Sequence, residues 1–229
     1  MIRNETTASF GGAASRDRRA FPCPKVARDL HLSRRAPRCS VSGVRVELQV
    51  DSAAPSKHKT FPPARDYVDL RKHPQAILQV PAVEANPPMG RFLEIINGAD
   101  SLFASFAATA AEAAAQPGTS APAGFGSSVM LVFADPTLNH QRDRYEHLAI
   151  QLSGLLLRES AEALTCELAV AGCEFPAESK RGYCLRIALL ARGETTDQAR
   201  VRWGLGLARV QQALLYCSRQ IRLKLRDAE

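Results

Sequence analysis

Aromatic side chains are scarce in this chain, at 6% of its 229 residues, and Trp203 is its single tryptophan. No apolar run reaches the length of a membrane-spanning helix. The six cysteines form no C-x-x-C pairs at zinc-ligand spacing, and the five histidines form no H-E-x-x-H or related cluster, so the sequence offers no metal site. Gly124-Phe125-Gly126 precedes a strand pattern instead of linking a strand to a helix, which excludes a dinucleotide fingerprint or P-loop. No cysteine stands in a nucleophile context, and Asp143, Glu146 and His147 fall on the first turns of a predicted helix, where acids favour the macrodipole. The expectation is no enzyme, no catalytic residue and no cofactor; were there one, Glu112 and His147 would be the residues to mutate first.

What the chain does have is an ordinary apolar content and an excess of positive charge. Hydrophobic residues make up 45% and charged residues 23%, as in a globular protein with a sizeable core. The net charge of +7 favours acidic partners such as RNA, anionic lipid or an acidic protein surface. The excess sits at both ends. Residues 1–40 carry nine basic and three acidic residues, a balance of +6, and residues 181–229 carry ten and four, again +6. The first forty residues are rich in Ser, Ala and Arg without an apolar core region. They read either as a mitochondrial presequence or as a basic arm that touches nucleic acid or a partner. The expected division is therefore an extension over 1–40 and one α+β domain over 41–229.

Within the domain, Val44–Val50 alternates apolar and polar residues as a half-buried strand does. Residues 51–90 are proline-rich and read as a long loop with short structured pieces at 77–80 and 83–86. A short helix is predicted at 91–97. The alanine-rich stretch Ala104–Ala115 reads as a helix by propensity, followed by a loop over 116–128 and a buried strand at Val129–Phe133. His140–Ser160 has apolar residues at spacings of three and four, the mark of an amphipathic helix. Leu164–Phe175 and Tyr183–Arg192 read as a hairpin. Thr195-x-x-Gln198 supplies a capping box for a helix that buries Trp203, with Arg202 and Arg209 on its outer side. The last element, Ile221–Arg226, alternates strictly and reads as a strand presenting Arg222, Lys224 and Arg226 in a row, about 6.6 Å apart. Such a row either meets nucleic-acid phosphates or guards a sheet edge. Helices on one face of an antiparallel sheet complete an α+β layer arrangement.

Several strings, in this order, resemble the cap-binding translation initiation factor 4E family. Lys59-Thr60-Phe61 is similar to the family's "KTW", and Asp100-Ser101-Leu102-Phe103 contains its "SLF". Eight residues beyond Phe103, Ala111-Glu112 stands where the family has Trp-Glu. Cys166–Val170 resembles "CGAVV" and Arg186–Leu190 resembles "KIAIW", with Leu190 at the tryptophan. Val83-Glu84 resembles the start of "VEDFW", the family's partner-docking helix, with Pro87 at the tryptophan.

The resemblance spans Val44 to Leu215. It implies a curved antiparallel sheet backed by helices, and a degenerate cap pocket at Phe61, Ala111, Glu112 and Leu190. It also places Lys180 and Arg181 where family members hold the cap phosphates. Arg202, Arg209, Arg222, Lys224 and Arg226 complete the candidate RNA contacts. A methylated guanine draws about 1–3 kcal/mol from each aromatic face that stacks on it, so losing the stacking tryptophans removes most of the grip. The leading expectation is a non-enzymatic interaction subunit of an RNA–protein assembly, binding RNA (rRNA or mRNA) and proteins, in translation or an organellar ribosome. Its expected location is the mitochondrion, with the cytoplasm as the alternative. Two other readings stand beside it: a working cap-binding initiation factor, and a structural subunit of a mitochondrial membrane complex.

Overall fold

A computed structural model describes residues 44–50, 59–61, 68–157, 164–178 and 180–226, with backbone alone at 44–50, 59–60, 177 and 225–226. The expected extension over 1–40 lies outside the described residues, as do the inward side chains expected of Val44–Val50. The strands are β1 (Val44–Val50), β2 (Lys59–Thr60), β3 (Phe103–Ala113), β4 (Ala123–Phe133), β5 (Leu164–Phe175) and β6 (Lys180–Gly193). The helices are α1 (Pro81–Glu84), α2 (Pro87–Ile96), α3 (Arg142–Leu157) and α4 (Thr196–Arg226), with short 3-10 turns at Pro74–Gln79, Pro136–His140 and Pro176–Glu178.

One open sheet runs in the order β1-β5-β6-β4-β3, with β2 beside β5. The four strands β5-β6-β4-β3 are antiparallel, as expected; β1 and β2 instead lie parallel to β5. The fold is thus α+β with helices packed on an antiparallel sheet. Alternation along the strands divides the side chains between two faces. Phe125, Val129, Leu131 and Phe133 of β4, Leu164, Cys166 and Leu168 of β5, and Leu185, Ile187 and Leu189 of β6 join one core with α2, α3 and α4. On the opposite face, among the described residues, Ala104, Met130, Val132, Cys173, Phe175 and Cys184 form a smaller cluster with Phe61 and Phe106.

Each helix is placed by its apolar stripe. Helix α2 begins with two prolines, which cost nothing at positions whose N–H groups are unpaired in any helix, and buries Met89, Phe92, Leu93 and Ile96. Helix α3 buries Tyr145, Leu148, Ala149, Leu152 and Leu156. Helix α4 starts at the expected cap: the Gln198 N–H donates to Thr195 Oγ1 at 3.2 Å, while Gln198 Oε1 accepts from the Glu194 N–H at 2.7 Å. Trp203 then sinks fully into the core, its Nε1–H donating to Ser127 Oγ at 2.8 Å and its ring 4.8 Å from Phe125.

Two expected elements are wrong in kind. Ala104–Ala115 is not a helix; most of it is strand β3, paired with β4 along its length. Alanine prefers helix by only a few tenths of a kcal/mol per residue, and here the ladder with β4 overrides it, its start held by Asn97. Its Oδ1 accepts from the Ser105 N–H at 2.9 Å and its Nδ2 donates to Ser105 Oγ at 2.8 Å, pinning the strand's entry to the end of α2. Residues 221–226 are not a strand; they continue α4, with Ile221 packed on the core. Six alternating residues fit either period, and the buried series Leu214, Cys217, Ser218 settles it as helix. Two boundaries also move: β4 takes in 123–128 of the expected loop, and β6 starts at Lys180, shortening the hairpin connection.

Candidate interaction site

The four cap-pocket positions do not converge. Phe61 follows β2, its N–H donating to the Glu174 carbonyl at 2.7 Å. Its ring lies 5.5 Å from Phe106 at an interplanar angle of 73° and 5.7 Å from Phe175. Rings packed edge to face on one another leave no slot for a base. Ala111 and Glu112 are adjacent on β3 and so point to opposite faces. Ala111 is exposed on the open face, in one row with Gly126 of β4 and Leu190 of β6. It stands five residues, roughly 17 Å, along β3 from Phe106. Glu112 lies on the helix side and meets Arg200 at 3.8 Å.

The basic candidates also part company. Lys180 and Arg181 are exposed at the start of β6, where the Arg181 carbonyl accepts from His140 Nδ1 at 2.9 Å. Arg202 donates to the Arg192 carbonyl at 2.8 Å, and Arg222 to the carbonyls of Ala99 and Ser101 at 2.7 and 3.4 Å, so both guanidinium groups tie down backbone. Arg222 and Lys224, expected side by side on a strand, stand about 200° apart around a helix. Arg226 lies in the last turn of α4, where only backbone is described. Arg209 and Lys224 line neighbouring hollows between α3 and α4.

What the sequence reading missed is a cleft of about 740 Å³ between α2 and α4. Pro87, Pro88, Ile95, Val201, Leu205 and Ala208 make its apolar wall, and Arg91, Asp197 and Arg200 its charged rim. Val201 and Leu205 are 64% and 62% exposed, which marks them as unmet apolar surface. Two polar atoms at this cleft are buried without a partner: Asn86 Oδ1, whose amide Nδ2 donates to the Ala82 carbonyl, and Arg200 Nε. Arg200 also lies 5.0 Å over the Phe125 ring, so its head is held in place. The signal in sequence was Val201 and Leu205, apolar at i and i+4 but off the buried stripe of α4.

The buried ionisable groups are held neutral. Burial pushes the Cys166 thiol up to about 12 and Cys217 to about 11. Cys173 is raised further, first by its hydrogen bond with the Cys184 thiol and then by burial. Burial raises Tyr145, whose hydroxyl donates to Asn139 Oδ1 at 2.6 Å. A thiol held protonated is a poor nucleophile and a poor metal ligand. Among the described residues no group of three His, Cys, Asp or Glu side chains is placed to hold a metal ion, and no helix is long and apolar enough to cross a membrane.

No family model, curated protein or solved structure matches this chain.

Proposed function

We propose that this protein is a non-enzymatic interaction subunit of an RNA–protein assembly of the translation machinery, on a divergent scaffold of the initiation factor 4E type with a degenerate cap pocket. The α2–α4 cleft carries the reading: Val201 and Leu205 stand exposed across from Pro87, Pro88 and Ile95, an apolar surface of the kind a partner chain covers. The order of elements, with α2 before β3-β4, α3 before β5-β6 and α4 after them, supports the scaffold. Phe61, Ala111 and Leu190 at the stacking positions argue against base clamping. The basic first forty residues suit delivery to the mitochondrion.

Recovery of the intact protein from cells, with its RNA and protein companions identified, tests this. Ribosomal or translation proteins together with RNA are expected. Val201→Asp and Leu205→Asp, both at exposed positions, should lose the protein companions while leaving the fold intact. Companions drawn from a membrane complex without RNA would reject the proposal. A marked preference for methylated over unmethylated guanine nucleotide would replace it with cap binding.

A further inference from the structure

Strand β3 ends the sheet and is paired on one side only, with β4. An edge strand presents a row of backbone N–H and C=O groups that another strand can take up, and folds guard such rows with charge, proline, bulges or a covering element. The first stretch of this edge is guarded. Arg71 Nη1 donates to the Phe103 carbonyl at 2.9 Å, the Ser105 N–H donates to Asn97 Oδ1 at 2.9 Å, and the register with β4 shifts between Ser105 and Ala107. Beyond that shift the guards stop. Among the described residues no strand and no side chain takes the outer backbone groups of 107–113. This stretch reads Ala107-Ala108-Thr109-Ala110-Ala111-Glu112-Ala113, without proline or lysine. Its one charge, Glu112, faces Arg200 of its own chain at 3.8 Å on the helix side. Ala107, Thr109 and Ala111 are exposed on the open face, while Ala108 and Ala110 pack on the core.

We infer that this edge pairs two copies of the chain, with β3 antiparallel to β3 of the second copy about a two-fold axis at Ala110. Ala110 is the midpoint of the bare stretch, so the pairing sets Ala107 against Ala113, Ala108 against Glu112, Thr109 against Ala111 and Ala110 against its own image. No charge meets a like charge. Seven opposed residues span about 24 Å and exchange about six to eight hydrogen bonds, because every second pair exchanges two. The composition of the edge chooses a second copy over a foreign strand. A strand added from another protein is selected by pockets that hold its alternate side chains, and the alanines of β3 beside Gly124 and Gly126 of β4 build no walls for such pockets. The same row fits itself, since a two-fold interface asks only that a patch complement its own image. A single strand edge falls below about 1,200 Å² of buried surface, the range of weak interfaces, so the dimer forms and dissociates with concentration. Self-pairing needs neither RNA nor the α2–α4 cleft, so its failure leaves the proposed function standing.

Sedimentation velocity of the full chain from about 5 to 500 µM covers the affinities expected of small interfaces, and should show a monomer passing to a dimer and no further. Thr109→Lys combined with Ala111→Lys sets like charges directly opposite across the axis, at positions exposed in the single chain, and should weaken the dimer about tenfold or more. Thr109→Lys combined with Ala111→Glu sets opposite charges there and should restore it to within about threefold of the parent. The register is read separately by cross-linking. In a Cys23→Ser, Cys39→Ser background, Ala110→Cys should give a covalent dimer with a mild disulfide oxidant, and Ala107→Cys, whose image lies six residues away along the strand pair, should not. A parent that stays monomeric throughout overturns the pairing, whether or not it captures a strand from another protein. So does a dimer indifferent to both charge variants, or growth into open-ended assemblies in place of a dimer. Circular dichroism of each variant keeps a folding defect apart from an association defect.

Discussion

At the scale of single residues, Trp203 and the buried thiols carry the sharpest consequences. Trp203 is fully buried and hydrogen-bonded to Ser127, so Trp203→Ala removes a large packed ring and strands a hydroxyl. It should cost about 3–5 kcal/mol of unfolding free energy by urea denaturation. Being the single tryptophan, it also makes fluorescence a clean reporter: its emission should shift to the red as the core opens. The thiols set a pH dependence. Cys166 is held at about 12 in the fold and returns to roughly 8.5 when unfolded. Below about pH 8.5 both states keep the proton and the contribution is fully present. As the pH climbs toward 12 the unfolded chain loses its proton first, so folding loses ground. The urea midpoint should fall between pH 8 and pH 10.5, and Cys166→Ala should fall less steeply across the same interval. An equal slope in both would remove Cys166 as the cause.

Elements are held by contacts that glycine permits or that side chains complete. A Cβ on Gly182 of β6 would collide with the Asn139 carbonyl oxygen, so Gly182→Ala must push the Pro136–His140 turn off the hairpin. A loss of about 1–3 kcal/mol is expected. Gly204 is the opposite case. A Cβ there meets only Pro88, at an ordinary 3.5 Å, and Gly204→Ala should stabilise α4 by about 0.5–1 kcal/mol because alanine surrenders less backbone freedom. If both substitutions move the thermal midpoint in the same direction, the packing described at one of the two sites is wrong. The far end of α4 is tied by Arg222 to the carbonyls of Ala99 and Ser101, and by Ser218 Oγ, which accepts from the Leu102 N–H at 3.3 Å. Arg222→Ala should cost about 1 kcal/mol and raise amide exchange over residues 98–102.

For the whole molecule, the helix layer holds two unlike surfaces. One side of α4 is an apolar cleft with exposed Val201 and Leu205; the other is a cationic groove around Tyr216. On the proposed reading, RNA affinity should fall steeply between about 50 and 200 mM salt. Partner binding at the apolar cleft should change little over the same range. Equal salt sensitivity of both interactions would mean that they share one surface.

Much of this protein was written in its sequence. The stripes of α3 and α4, the Thr195 and Gln198 cap, the β5–β6 hairpin and the core position of Trp203 follow from local periodicity and local hydrogen bonding, which need no distant partner. The choice between helix and strand at 104–113 and at 221–226 does not, because alanine's preference and a six-residue alternation are each too weak to resist the tertiary contacts of the whole element. Pairing with β4 decided the first and the continued stripe of α4 the second. The same holds for the sites. The basic excess over 181–229 was legible as charge, but which arginines face outward was settled by the carbonyls that Arg202 and Arg222 bind. The cleft exists only because α2, placed by its own buried face, comes to rest beside α4. Periodicity fixes which face of an element is apolar; only packing fixes what that face meets, and so which polar atoms are left without a partner.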